Sequence, residues 1–225
     1  MPLRLQGYYA ILDVKGTSVE LAAALAHAGE LLAAGPCCLQ LRGKSLGPAL
    51  LCQLGHGLRS LCVRAGIPLC INDRLDVALA VGADAIHLGQ GDLPLAEARR
   101  VVRDVTRAGH LVIGISTHDL DEARAAAEGG ADYIGFGPVF PTRSKADASP
   151  AAGLAALAAV TAGVRLPVVA IGGVRLENAA AVAAAGACAA AVIAAVDEAT
   201  DRTGAGRLIA AAFLRDGNPE RVPKP

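Results

Sequence analysis

The sequence has no surplus charge. Its 21 basic and 21 acidic residues cancel, so it lacks the positive field of a nucleic-acid surface. It also has no long apolar run, and no segment is expected to span a bilayer. The opening MPLRLQGYYAIL carries neither an apolar signal region nor a small-residue cleavage site, so no signal peptide is expected. No G-x-G-x-x-G follows the first strand-like run, which argues against a dinucleotide-binding fold. Lysine is scarce, only Lys15, Lys44, Lys145 and Lys224. Each is therefore of interest as a compact point charge for phosphate. The six cysteines (37, 38, 52, 62, 70 and 188) follow no zinc spacing and sit in apolar settings. They are expected as small core residues in a reducing compartment, which makes the cytoplasm the expected location.

What is present is a regular alternation. With 225 residues, 53% of them hydrophobic, the chain can build one sizeable core. Short apolar runs at 8–12, 37–42, 69–71, 85–88, 111–115, 133–136, 168–171 and 189–193 read as strands. Between them lie amphipathic or alanine-rich segments. These read as helices from a Ser18 cap to 34, then over 48–65, up to 81, and over 94–108, 119–128, 151–162, 176–185 and 197–213. Gly66, Gly82, Gly130, Gly163 and Gly186 follow helix ends as left-handed caps, and Gly109 also follows a helix. Gly82-Ala83-Asp84, Gly130-Ala131-Asp132 and Gly186-Ala187-Cys188 form a faint internal repeat, each feeding a strand. Short apolar strands covered by helices imply a parallel sheet. Eight such units imply an α/β fold, a single (β/α)8 TIM barrel over 1–215, with a polar tail at 216–225 expected to fray.

The polar residues collect at the strands' C-terminal ends, the functional face of such a barrel. Asp73 and Asp92 follow successive strands. Alone, each would be read as a helix cap. As a pair beside Gln90 they suit a hard cation such as Mg²⁺, which takes few carboxylates and completes its shell with water and phosphate. With only two carboxylates, metal binding to the empty protein is expected to be weak. Gln40, Arg42 and Lys44 share one strand face, with Leu39 and Leu41 on the other. Gly172-Gly173, with Ile193 and Ala194 after the last strand, match the usual phosphate position of the fold. The 137–150 loop, with Thr142, Ser144 and Lys145, is long enough to act as a lid. Ser116 ends a strand. His87 is expected as a hydrogen-bonded core histidine, His118 as a helix-start residue, and His27, His56 and His110 as surface or packing residues. No nucleophile–base pair is evident. The chemistry expected is departure or transfer of a phosphorylated group, helped by charge neutralisation.

These motifs resemble the thiamine-phosphate synthase family. The resemblance runs from about residue 8 to 196. It is carried by Gln40-Leu-Arg42-Gly-Lys44, Ile71-Asn72-Asp73-Arg74, His87-Leu-Gly-Gln90-Gly-Asp92, Gly114-Ile-Ser116-Thr-His118, Gly137-Pro-Val-Phe-Pro-Thr142-Arg-Ser144-Lys145 and Ala170-Ile-Gly172-Gly173. It implies a Mg²⁺-dependent coupling of hydroxymethylpyrimidine diphosphate to thiazole phosphate, with pyrophosphate leaving first. By the family pattern Gln40, Arg42, Lys44 and Asn72 would bind the pyrimidine diphosphate. Asp73 and Asp92 would hold the metal, and Lys145 would contact the pyrophosphate. Thr142, Ser144, Gly173, Ile193 and Ala194 would seat the thiazole phosphate, and Ser116 would line the pocket. The residues expected to be catalytic are Lys145, Arg42 and Ser116.

Three positions depart from the pattern. Gly43 stands where Glu is frequent and should face outward. Ser144 replaces a usual Thr and keeps the hydroxyl. Ala194 replaces a common Ser and leaves phosphate binding to the backbone N–H. The alternatives are the sister thiazole tautomerase and a non-catalytic barrel that binds phosphorylated ligands. The expected partners are small molecules, with neither nucleic acid nor membrane. The sequence leaves the oligomeric state open, a homo-oligomer included.

Overall fold

A computed structural model describes residues 3–105, 111–142 and 150–214. Eight strands, β1 (Gly7–Asp13), β2 (Cys38–Arg42), β3 (Leu69–Asn72), β4 (Ala85–Leu88), β5 (Val112–Thr117), β6 (Tyr133–Phe136), β7 (Val168–Ile171) and β8 (Ala189–Val192), pair in sequence order, all parallel. β8 returns to β1 and closes the barrel. The connecting helices are α1 (Leu21–Ala33), α2 (Pro48–Ala65), α3 (Leu75–Val81), α4 (Leu95–Val105), α5 (Leu120–Glu128), α6 (Gly153–Gly163) and α7 (Leu176–Ala184). Two more, α8 (Ala194–Asp197) and α9 (Arg202–Ala212), follow β8. This is the expected (β/α)8 barrel. No helix among the described residues is long and apolar enough to cross a membrane. The end expected for the fourth helix, Gly109, His110 and the 216–225 tail lie outside the described residues.

Alternation along each strand sorts side chains between two cores. Tyr8, Leu39, Leu41, Ile71, Ile86 and Ile134 pack outward against the helices. Tyr9, Cys38, Cys70, Tyr133 and Val169 fill the barrel interior. Cys38, Cys62 and Cys70 are buried, and all six cysteines are free thiols. The Gly-Ala-Asp repeat has a physical reason. Asp84 accepts from Leu69 N–H and pairs with Arg59 of α2. Asp132 likewise accepts from Ile113 N–H and pairs with Arg99 of α4. Each aspartate thus ties the start of the preceding strand to a helix. At the third repeat, Cys188 donates to Val168 O through both N–H and thiol.

Several boundaries differ from expectation. The N-cap of α1 is Glu20, not Ser18. β5 runs two residues further and takes in Ser116 and Thr117. The helix expected over 197–213 is two helices, because Asp201 caps α9 by accepting from Gly204 N–H. Gly66, Gly82, Gly130 and Gly186 have positive φ as expected. Gly163 instead ends α6 without such a turn.

Candidate active site

A narrow cavity reaches down from the C-terminal rim of the barrel. Gln40, Arg42, Asn72, His87 and Ser116 line one side, and Ile171 and Ile193 the other. Tyr9 and Tyr133 form its floor. The shared face of β2 thus points inward as expected. A Cβ at Gly43 would instead meet Leu46 and Leu51, so that position faces the helix layer.

Asp73 has φ of +64°, alone among the described non-glycine residues in being positive. Arg74 N–H donates to Asn72 O at 2.8 Å, so the chain folds tightly around Asp73. Its own N–H donates to His87 O at 2.8 Å, which ties the turn to β4. Such backbone strain in a non-glycine residue persists where the surroundings over-determine it. The N-cap of α3 is Arg74, with no bond from its side chain, so Asp73 stands one residue before the cap position. Asp92 accepts a hydrogen bond from Gly89 N–H at 2.6 Å through Oδ2.

Burial, then a hydrogen bond with Asp92 and the charge of that second carboxylate, push the Asp73 carboxyl up to about 6. Lys44 and Arg42 oppose the shift. Two carboxyls this close share a proton or a cation. Among the described residues, no group of three or more His, Cys, Asp or Glu could hold a metal, so any cation here rests on two carboxylates. Lys44 Nζ lies 3.8 Å from Asp73 Oδ2 and is largely exposed. Arg42 Nη1 bonds Asp13 Oδ1 at 2.5 Å, with both side chains nearly buried. Asp13 is the residue that fixes Arg42. Its role was readable only through the neighbouring register of β1 and β2.

The loops after β6 and β7 are bound together. Val139 N–H donates to Ile171 O and Phe140 N–H to Gly172 O. A Cβ at Gly172 would stand 2.5 Å from Pro138, and one at Gly173 2.6 Å from Pro141 O. The two glycines therefore allow close approach of the 138–141 segment, besides sitting at the position where this fold seats phosphate. Asn178 holds the Gly173 carbonyl at 3.0 Å. Ile193 is the N-cap of α8, and Ala194 its first residue. Thr142, which ends the described part of this loop, is half-buried. Ser144, Lys145 and half of the expected 137–150 lid lie outside the described residues.

Sequence reasoning missed the barrel's inner polar network. His87 is hydrogen-bonded, as expected, but it faces the cavity. Its Nε2 lies 3.0 Å from Ser116 Oγ, and its Nδ1 lies 3.0 Å from Tyr133 Oη. A serine–histidine contact is thus present where no nucleophile–base pair was expected, because the longer β5 brings Ser116 alongside His87. The available signal was glycine inside strands. A Cβ at Gly114 would stand 2.1 Å from Tyr133 and 2.6 Å from His87 Nδ1, and one at Gly135 3.0 Å from the His87 ring. His118, by contrast, pairs with Glu122 at the start of α5, as expected.

The chain is similar to known proteins over most of its length. Residues 9–196 match the thiamine monophosphate synthase family. A thiamine-phosphate synthase of Chloroflexus aurantiacus is 43% identical over 177 residues, 79% of each chain. One from Methanospirillum hungatei is 44% identical over 187 residues, covering 83% of this chain and 88% of that one. The thiamine phosphate pyrophosphorylase of Pyrococcus furiosus superposes with a TM-score of 0.81 at 34% identity, covering 95% of this chain and 98% of that one. The chain belongs to the thiamine monophosphate synthase family, whose members are transferases of thiamine biosynthesis.

Proposed function

We propose that this chain joins hydroxymethylpyrimidine diphosphate to thiazole phosphate, giving thiamine phosphate and pyrophosphate. The observation that carries the reading is the acid pair Asp73–Asp92 facing Arg42 and Lys44 at the mouth of a cavity lined by Gln40, Asn72 and Ser116. One end of that arrangement carries the charges a diphosphate needs, and the other offers the polar and aromatic lining that suits a heterocycle.

The residues fit Mg²⁺. Two hard oxygen donors face each other, and the Asp73 pKa, raised by burial and then by the hydrogen bond and charge of Asp92, includes a carboxylate repulsion that a cation would relieve. Asp73 and Asp92 would hold the ion, which supplies charge neutralisation on the departing pyrophosphate. Arg42, fixed by Asp13, and Lys44 add fixed positive charge to the same group. Lys145 would contact the pyrophosphate. The methylene C–O bond breaks and its electron pair leaves with pyrophosphate. The thiazole nitrogen then captures the pyrimidinylmethyl cation. Thr142, Ser144, Gly173, Ile193 and Ala194 would seat the thiazole phosphate, largely through backbone N–H groups. Six free thiols support a cytoplasmic location.

The test is pyrophosphate release with both substrates, with and without Mg²⁺. Release is expected only when all three are present. Release from the diphosphate alone at an equal rate, or no release with the full set, overturns the reading. Turnover of a thiazole substrate alone would favour the tautomerase instead.

A further inference from the structure

The hydrogen bonds inside the barrel form an ordered chain. Gln40 Nε2 donates to Tyr9 Oη at 3.0 Å. Tyr9 Oη lies 3.1 Å from Tyr133 Oη. Tyr133 Oη lies 3.0 Å from His87 Nδ1, and His87 Nε2 lies 3.0 Å from Ser116 Oγ. Five side chains from five strands connect two points on the cavity wall, Gln40 and Ser116. The two tyrosines are almost wholly buried, and the chemistry above uses neither.

Counting protons gives the chain a direction. An amide nitrogen donates and does not accept, so the Tyr9 oxygen receives from Gln40. The single Tyr9 proton then goes to Tyr133, the strong acceptor beside it. Tyr133 has one proton in turn. The Cys70 sulfur, 3.9 Å away, is a weak acceptor, so that proton goes to His87 Nδ1. A neutral imidazole that accepts at Nδ1 carries its proton at Nε2. That N–H faces Ser116 Oγ, which accepts it and keeps its own proton for the cavity. Burial raises both phenols well above their ordinary pKa, so they stay protonated and able to donate.

We propose that Gln40, Tyr9, Tyr133 and His87 form a relay that fixes hydrogen-bond polarity. It holds His87 as the Nε2–H tautomer, so that Ser116 presents a donor, and Gln40 the acceptor oxygen of its amide, to the bound substrate. Tyr9, Tyr133 and His87 are positioning residues, and Ser116 is a hydrogen-bond donor rather than a nucleophile. With Nε2 already protonated, the histidine has no site for the serine proton. What Ser116 donates to rests on the synthase reading, in which the cavity receives an aminopyrimidine diphosphate rich in acceptors. The relay itself is a property of the free protein.

The test is therefore made first without substrate, by ¹⁵N NMR of histidine-labelled enzyme, with His87→Gln used to assign the His87 signals among five histidines. The Nε2–H tautomer is expected. Gln40→Glu replaces the donor with a carboxylate that takes the Tyr9 proton. The chain then reverses, and His87 should move to the Nδ1–H form. Tyr133→Phe cuts the chain. It should give mixed tautomers and, in the coupling assay, about a 10-fold lower kcat with KM changed by less than about 2-fold. A wild-type spectrum showing Nδ1–H overturns the proposal, whether or not the variants fold. So does an unchanged tautomer in a folded Gln40→Glu protein. An Nε2–H spectrum together with an enzyme that releases no pyrophosphate would retire the synthase reading and leave the relay standing.

Discussion

At the scale of single residues, the site is a set of charges held in unfavourable places by fixed partners. Arg42 is steered by Asp13, and Asp73 is held in a left-handed turn against Asp92. The second arrangement costs stability. A carboxyl whose folded pKa lies above its unfolded value binds its proton more tightly in the native state. Stability is then highest below the unfolded value of 3.8 and falls as pH rises to about 6, beyond which the loss is constant. Asn tolerates positive φ and removes the charge. Asp73→Asn in metal-free buffer should therefore be more stable than wild type at pH 7 by roughly 2 kcal/mol, a Tm gain of about 5 °C, with the gap closing toward pH 4. Thermal melts across that range check it. A gap that does not change with pH would mean that Asp73 is not the strained acid. The same variant should lose about 100-fold or more in turnover, because a neutral amide is a poor partner for a hard cation.

At the scale of elements, the loops after β6 and β7 act as one body. Gly172 and Gly173 have φ of +90° and +64°, and any Cβ there runs into the 138–141 segment. Gly173→Ala should cost roughly 2–4 kcal/mol by denaturant melts. It should also raise KM for the thiazole phosphate more than for the diphosphate, since the segment it displaces packs against the glycines of the proposed thiazole phosphate seat. An equal rise in both KM values would place the damage in the barrel as a whole.

Elements were also the scale at which the sequence was most legible. Short apolar runs and glycine-ended helices marked all eight strands within a residue or two, because both faces of a parallel strand are covered. Strand parity alone put Gln40 and Arg42 inward. The split before α9 was signalled only by the Asp201 cap, inside an otherwise helix-favouring run. The hydrogen-bonded chain inside the barrel was almost illegible. Tyr9 and Tyr133 meet across 124 residues, and no local pattern encodes a contact through the middle of a barrel. Only the misplaced strand glycines, Gly114 and Gly135, carried a trace of it.

At the scale of the molecule, the closed barrel puts the acid pair on the β3–β4 side of its rim and the glycine loops on the β7–β8 side, which is where the proposed function seats its two ligands. On that proposal, the diphosphate seat is incomplete without both its anion and its cation. Two partly buried carboxylates sharing charge bind a divalent ion weakly, and a diphosphate meeting those same carboxylates is repelled. Each ligand removes the other's penalty, so their binding is linked and reciprocal. Mg²⁺ alone and pyrophosphate alone should each raise Tm by less than about 1 °C at millimolar concentration. Together, at about 100 times the dissociation constant of the pair, they should stabilise the fold by about 2.7 kcal/mol, roughly 5–10 °C for a chain of this length. Asp92→Asn should abolish the joint shift while leaving the metal-free Tm at pH 4 near wild type. Differential scanning fluorimetry over a grid of the two ligands measures all of this. Additive shifts, or a full shift from Mg²⁺ alone, would show that the acid pair is a complete metal site by itself, not one finished by the substrate.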